Sequence, residues 1–256
     1  MPFDATLTLV GGPTVLIELA GLRFLTDPTF DAPGLYQGGV TLEKLTAPAL
    51  TAEQVGRVDA VLLSHDQHFD NLDHGGRAFL ASARTTFTTP VGASRLGGNA
   101  IGLAAWENRT FETDVGAVHV TAAPARHGPP GIEPIAGAVA GFLIGIEEPG
   151  DALYFAGDTV WYEGVAEVAR RYKPRLVILN TGSAEPRGKF HVTMDANDAL
   201  EAAHAFPQAK IVPIHNEGWR HFVESADELA HAFRTLGVAD RLQPLERGRA
   251  AKLLFP

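Results

Sequence analysis

The sequence predicts an α/β chain in which two sheets pack together with helices outside. Three observations predict it. Short β-branched and aromatic runs separated by turn signals fill the first quarter, more strand-like runs fill the middle, and from about residue 164 helical and strand-like runs alternate.

Taken in order, "TLTLV" (6–10), "TVLIEL" (14–19) and "LRFLT" (22–26) are separated by "GGP" and "AG", so residues 6–26 read as an antiparallel meander. "AVLLS" (60–64) is a further strand, and "GRAFLASA" (76–83) a short helix. "TTFTT", "AVHVTAAPA", "AVAGFLIGI" and "ALYFAG" read as strands, the last running into Asp158. "GVAEVARRY" has helical periodicity and stops before Pro174, "RLVILN" is a buried strand, "TMDANDALEAAHAF" (193–206) is helical, and "KIVPIH" is a strand ending at His215. "SADELAHAFRTLG" is a helix with a capping box, Ser225 at the N-cap and Glu228 three residues on, and Gly237 as its stop. No internal repeat, low-complexity tract or linker divides the chain, so residues 1–256 read as one domain.

With 256 residues and 45% hydrophobic content, the chain is long enough for a substantial core. Its most apolar stretch, Ile135 to Ile146, is well below the roughly 18–20 residues that cross a bilayer, so no membrane span is expected. The start, "MPFDATLTLV", lacks the pattern of a signal peptide, and the cytoplasm is the expected compartment. A net charge of −9 repels a polyanion, so the expected partner is a small molecule rather than nucleic acid. With no cysteine, any transition metal must be held by imidazole and carboxylate.

Five places put a metal-competent side chain just beyond an apolar run. They are "SHDQHFDN" (64–71) with His65, His68 and Asp70, then His127 in "PARHG", Asp158 in "YFAGDT", His191 in "GKFH" and His215 in "PIHNEGW". Strand ends converge on one rim of a sheet, so ligands distant in sequence can meet there. His119, His204, His221 and His231 lie outside these places and read as structural.

The order His-x-x-His-x-Asp, His, Asp, His resembles the metallo-β-lactamase fold superfamily. "GGPTVLIELAGLRFLTDP" resembles the opening hairpins of its branch of metal-dependent hydrolases that includes L-ascorbate-6-phosphate lactonase and N-acylphosphatidylethanolamine phospholipase D. The resemblance covers nearly the whole chain. It implies a four-layer αββα sandwich with metals at the rim between the sheets. It also implies His127 at a first metal, Asp158 bridging two metals and His215 at the second.

The opening motif departs from the family's His-x-His-x-Asp-His. Aligned from the left, His65 is the first ligand with one extra residue before His68; aligned from the right, that position falls on Asp66. Imidazole chemistry favours His65 with His68. Asn71 stands where the family has its second-site histidine, and an amide oxygen is a weak ligand for a transition metal. His74 and Asp73 are the nearby replacements. The expectation is therefore one tightly held ion, Zn²⁺ or else Mn²⁺ or Fe²⁺, rather than two equal ones.

This ligand set points to hydrolysis by a metal-activated water on a small ester, lactone or phosphodiester, with Asp70 and Asp158 as catalytic carboxylates. Were the second metal absent, Asp70 would serve as a general base. His191 and Arg126 are the candidate substrate contacts, and Arg187 and Lys189 lie in adjoining segments. Asp27 in "FLTDP" is a candidate support for the ligands. The rival reading is a non-catalytic or regulatory member of the fold with a structural metal or none.

Overall fold

The computed structural model describes residues 3–114, 116–146 and 148–255. Its strands are β1 (Phe3–Gly11), β2 (Thr14–Leu19), β3 (Leu22–Thr26), β4 (Gly34–Tyr36), β5 (Leu42–Lys44), β6 (Val58–Leu62), β7 (Ala83–Thr88), β8 (Ala100–Gly102), β9 (Asn108–Thr113), β10 (Gly116–Pro124), β11 (Ala140–Gly145), β12 (Leu153–Phe155), β13 (Leu176–Asn180), β14 (Lys210–Ile214) and β15 (Ala250–Phe255). Its helices are α1 (Ala52–Val55), α2 (His74–Phe79), α3 (Pro90–Leu96), α4 (Glu133–Ala136), α5 (Glu163–Arg171), α6 (Ala196–Ala205) and α7 (Ala226–Thr235).

One sheet runs β15-β1-β2-β3-β6-β7-β8 and the other β14-β13-β12-β11-β10-β9. In the first, β1 to β3 form the expected antiparallel meander, and β3, β6, β7 and β8 are parallel. In the second, β9 to β12 are antiparallel and β12, β13 and β14 are parallel.

The sheets pack face to face through alternating apolar residues. Leu7, Ile17, Phe24 and Leu62 of the first meet Val120, Phe142, Phe155 and Ile178 of the second in one buried cluster. A second cluster seats α5, α6 and α7 on the outer face of the second sheet, where Val165, Leu200 and Phe233 meet Tyr154 and Val177. A third seats α1 and α2 on the first sheet, with Val55 and Phe79 against Leu25 and Val61. The order of layers is therefore helix, sheet, sheet, helix, as expected. Among the described residues no helix is long and apolar enough to cross a membrane.

Several boundaries differ from the sequence reading for local reasons. The helix expected from residue 193 starts at Ala196, because the Asp195 side chain caps it by accepting from the Asp198 N–H. The helix expected at 76–83 starts at His74, capped by Asp73 in the same way. Strand β15 lies in a segment with no clear alternation; it gains its place by pairing with β1 at the sheet edge.

Strands β3, β6, β10, β12, β13 and β14 are among those that carry their C-terminal ends to one rim. Two backbone bonds join the sheets there, from Ala140 N–H to the Ser64 carbonyl and from His215 N–H to the Gly12 carbonyl, each 3.0 Å.

Candidate metal centre

Each of these six strands is followed by a polar side chain at the rim. Strand β6 is followed by Ser64 and His65, and the turn after them, closed by Leu72 N–H on the His68 carbonyl (2.9 Å), folds His68 back beside His65. The His127 loop is tied to the Asp158 loop by Arg126 N–H on Thr159 Oγ1 (3.0 Å) and Val160 N–H on the Arg126 carbonyl (3.0 Å). Gly157 (φ 65°) turns the chain out of β12 so that Asp158 points inward; a Cβ there would lie 2.8 Å from Ser64 Cβ and 2.9 Å from the Ala140 carbonyl oxygen. Asp27 (φ 27°) and His215 (φ 55°) also occupy the left-handed region, which L-residues enter only when the surroundings impose it.

His65, His68 and His127 bring their ring nitrogens together. His68 Nδ1 lies 2.8 Å from His65 Nε2 and 3.2 Å from His127 Nε2. The outer nitrogens fix the tautomers. His127 Nδ1 is 2.7 Å from the Val192 carbonyl, which can only accept, so Nδ1 carries a proton and the neutral tautomer of this ring is the one with the Nε2 lone pair turned inward. Ser64 donates its hydroxyl proton to Asp27 Oδ2 (2.7 Å), so its oxygen accepts from His65 Nδ1 (2.9 Å), and neutral His65 also turns a lone pair inward. A single proton on His68 satisfies one of those lone pairs. A cation among the three rings satisfies all of them.

A second cluster adjoins the first. Asp70, Asp158 and His215 place ligand atoms within 4.8 Å of one another, as do His65, His68 and His127. Asp158 stands between the two, with Oδ2 3.6 Å from His127 Nε2 and Oδ1 3.7 Å from His215 Nε2. Asp158 Oδ2, Asp70 Oδ1 and His215 Nε2 are buried with no hydrogen-bond partner among the described residues. Buried carboxylates and imidazoles left in this state fit a bound cation.

The electrostatics follow from burial and crowding. Burial, with His68 and His127 alongside, pushes His65 well below the usual histidine range, and burial with His127 pushes His68 down to about 4, so both rings are neutral at pH 7. Burial alone would raise Asp70, but His215 and His221 outweigh it and hold the carboxyl well below its usual range. Burial opposes a charge on His215, yet Asp158 and Asp70 draw its pKa upward. Asp27 is pushed up to about 7 by burial, against hydrogen bonds from Asn71 and Ser64.

The structure brings together His65, His68, Asp70, His127, Asp158 and His215. Of the two registers of the opening motif, His65 faces the cluster, while Asp66 turns away to pair with Arg95. Asn71 directs its amide nitrogen to Asp27 Oδ2 at 3.0 Å. Neither neighbour replaces it: Asp73 is taken up by the N–H groups of Phe30, Asp31 and Gly76 and by Lys44 Nζ, and His74 lies tilted against Phe69 and Tyr36.

His191 and Arg126 stand apart from the two clusters. His191 gathers instead with Asp195 and Asp198 at the start of α6, its Nε2 3.3 Å from Asp198 Oδ2. Arg126 donates to the Gly128 carbonyl (3.0 Å) and lies 4.5 Å over the Tyr162 ring.

Two side chains that the sequence reading passed over adjoin the site. Asn180 at the end of β13 donates to Asp158 Oδ1 at 2.6 Å. His221, read as structural, places Nε2 3.0 Å from Asp70 Oδ2. Its position six residues after His215, in a stretch without a regular element, was the only signal. A cavity of about 210 Å³ opens over His68, Asp70, His127 and His221, walled by Leu42, Phe69, Ile132 and Val192, with Arg187 among its lining.

Comparison with known proteins points the same way. The UPF0173 protein YddR of Bacillus subtilis is 24% identical, across 95% of this chain and 98% of that protein. A UPF0173 metal-dependent hydrolase of Caldivirga maquilingensis is 26% identical, across 93% of each chain. Among solved structures, isothiocyanate hydrolase from Delia radicum gut bacteria shares the fold, with a TM-score of 0.82 at 24% identity over 98% of this chain and 100% of that one. The pattern of the beta-lactamase superfamily domain matches residues 22–216, which include every residue of both clusters, and the chain belongs to that superfamily.

Proposed function

We propose that the protein is a metal-dependent hydrolase of a small ester, lactone or phosphodiester, and that residues 1–256 work as one unit. The observation that carries this reading is the convergence of three imidazoles, two of which, His65 and His127, already commit their outer nitrogens to Ser64 and to the Val192 carbonyl. His65, His68, His127 and Asp158 would hold the tighter ion. Asp70, Asp158 and His215 would hold a weaker one, because Asn71 spends its amide on Asp27 and brings no imidazole. Imidazole and carboxylate donors suit Zn²⁺, Mn²⁺ or Fe²⁺.

A divalent ion bound there supplies Lewis acidity and lowers the pKa of a bound water to about 7. The chain's own residues do the rest. Asp158, shared by both clusters and oriented by Asn180, fixes their relative position. Asp70 is engaged by His221 and kept ionised, so it serves to bind and orient; a carboxylate held that low is a weak proton acceptor, which counts against the general-base role. The apolar walls of the cavity limit the water that reaches the reacting group.

The test is a panel of generic phosphodiesters, lactones and thioesters assayed with added Zn²⁺ or Mn²⁺. Metal-dependent turnover that is lost in His65→Ala and Asp158→Ala is the expected result. Retained metal with no turnover of any substrate puts the non-catalytic reading in its place.

A further inference from the structure

The cavity over the two clusters carries a cation that the proposed chemistry leaves unused. Arg187 lies between β13 and α6, exposed, and its Nη2 is 3.3 Å from where a Cβ on Gly39 would stand. Gly39 and Arg187 both line the cavity, so the guanidinium reaches across the mouth from one lip to the other. Its charge is near enough to His68 to oppose protonation of that ring.

Other cations nearby are engaged elsewhere. Lys189 pairs with Glu185 (3.5 Å), and Arg126 with the Gly128 carbonyl and the Tyr162 ring. Among the described residues Arg187 has no carboxylate partner, on a chain whose net charge is −9. The walls below it, Leu42, Ile132 and Val192, are apolar. At about 210 Å³ the cavity suits a small molecule.

Resting on the hydrolase reading, we propose that the substrate is a short carboxylic ester with an apolar acyl chain and a terminal anionic group. Arg187 binds the anion by charge-assisted hydrogen bonds, the chain lies on the apolar walls, and the ester carbonyl faces the floor of His68, Asp70 and His127. Hydrolysis forms one bond, from the water oxygen to the acyl carbon, and breaks the bond from that carbon to the ester oxygen. The ester oxygen leaves with its electron pair and takes one proton from the water, giving an alcohol. The new carboxylic acid releases the other proton.

Monomethyl adipate and methyl hexanoate differ only in a terminal carboxylate against a methyl group, and pH-stat assays of the metal-loaded protein compare them. The expected result is a preference for the adipate ester of about tenfold or more in kcat/KM, the scale of a charge-assisted hydrogen bond. The ratio should fall in Arg187→Ala, recover in part in Arg187→Lys and invert in Arg187→Glu, with metal content and unfolding midpoint confirming that each variant folds. Equal rates for the two esters, or a ratio unmoved in Arg187→Glu, overturn the assignment. Metal retained with turnover of bis-p-nitrophenyl phosphate but of neither ester overturns it while leaving the hydrolase reading intact. Loss of metal and of all turnover in the unmodified protein overturns both.

Discussion

His221 Nε2 lies 3.0 Å from Asp70 Oδ2, on a segment that follows the last strand of the second sheet, while Asp70 follows β6 of the first. The contact joins the two halves of the rim at the point where Asn71 withholds an imidazole. Removing a group that orients a metal ligand typically costs 10- to 100-fold in metal affinity or activity. His221→Ala is therefore expected to lower turnover by roughly that factor, with its metal loss confined to the weaker ion. Metal content before and after dialysis checks it, and loss of both ions together would contradict it.

Mild chelation should strip the protein in two stages. The His65, His68, His127 and Asp158 set has three imidazoles in place, whereas the Asp70, Asp158 and His215 set has one. About one ion per chain should survive a weak chelator, and His127→Ala should lose that ion too. Two equally retained ions would refute the ordering.

His68 should add stability to the metal-free protein as pH rises from about 4 to 6.5. Unfolded His68 takes up a proton below 6.5, while in the folded chain it stays neutral down to about 4. At this site the unfolded state thus binds more protons in this window, and the His68 contribution rises with pH by an amount on the order of 3 kcal/mol. Asp27 acts in the opposite sense: its folded pKa is about 7 against 3.8 unfolded, so its contribution is full below 3.8 and fades as pH rises through 7. Denaturant titrations of the unmodified protein and of His68→Gln, both without metal, isolate the His68 slope as the difference between them.

Asp27→Asn should weaken the centre without removing a ligand. The carboxylate accepts from Ser64 N–H (2.6 Å), Ser64 Oγ (2.7 Å) and Asn71 Nδ2 (3.0 Å). An amide turns a donor toward one of these donors, so a cost of about 1–3 kcal/mol in stability is expected. His65 loses the partner chain that sets its tautomer, and metal affinity should fall as well. Calorimetric unfolding and metal titration measure the two effects separately.

Gly157→Ala combines a strained φ with a Cβ less than 3 Å from Ser64 Cβ and the Ala140 carbonyl oxygen. Neither neighbour can yield, because Ala140 and Ser64 are joined by one of the bonds between the sheets. We expect destabilisation of roughly 2–4 kcal/mol and a displaced Asp158, read as a lower denaturant midpoint together with loss of metal.

By itself the sequence determined the two sheets, the meander, the capped helix at Ser225 and most of the residues that meet at the rim. These are carried by local patterns: period-two apolar runs, turn residues, a capping box, and polar side chains placed where strands end. Only the tertiary structure decided that His65 rather than Asp66 faces His68, that His221 meets Asp70, that Arg187 rather than Arg126 or His191 lines the cavity, and that residues 250–255 close the sheet against β1. Each of these depends on how a loop leaves its strand and on which distant segment packs against it. The periodicity of a sequence records neither, because a side chain's partner across the rim is set by the order of strands in two sheets.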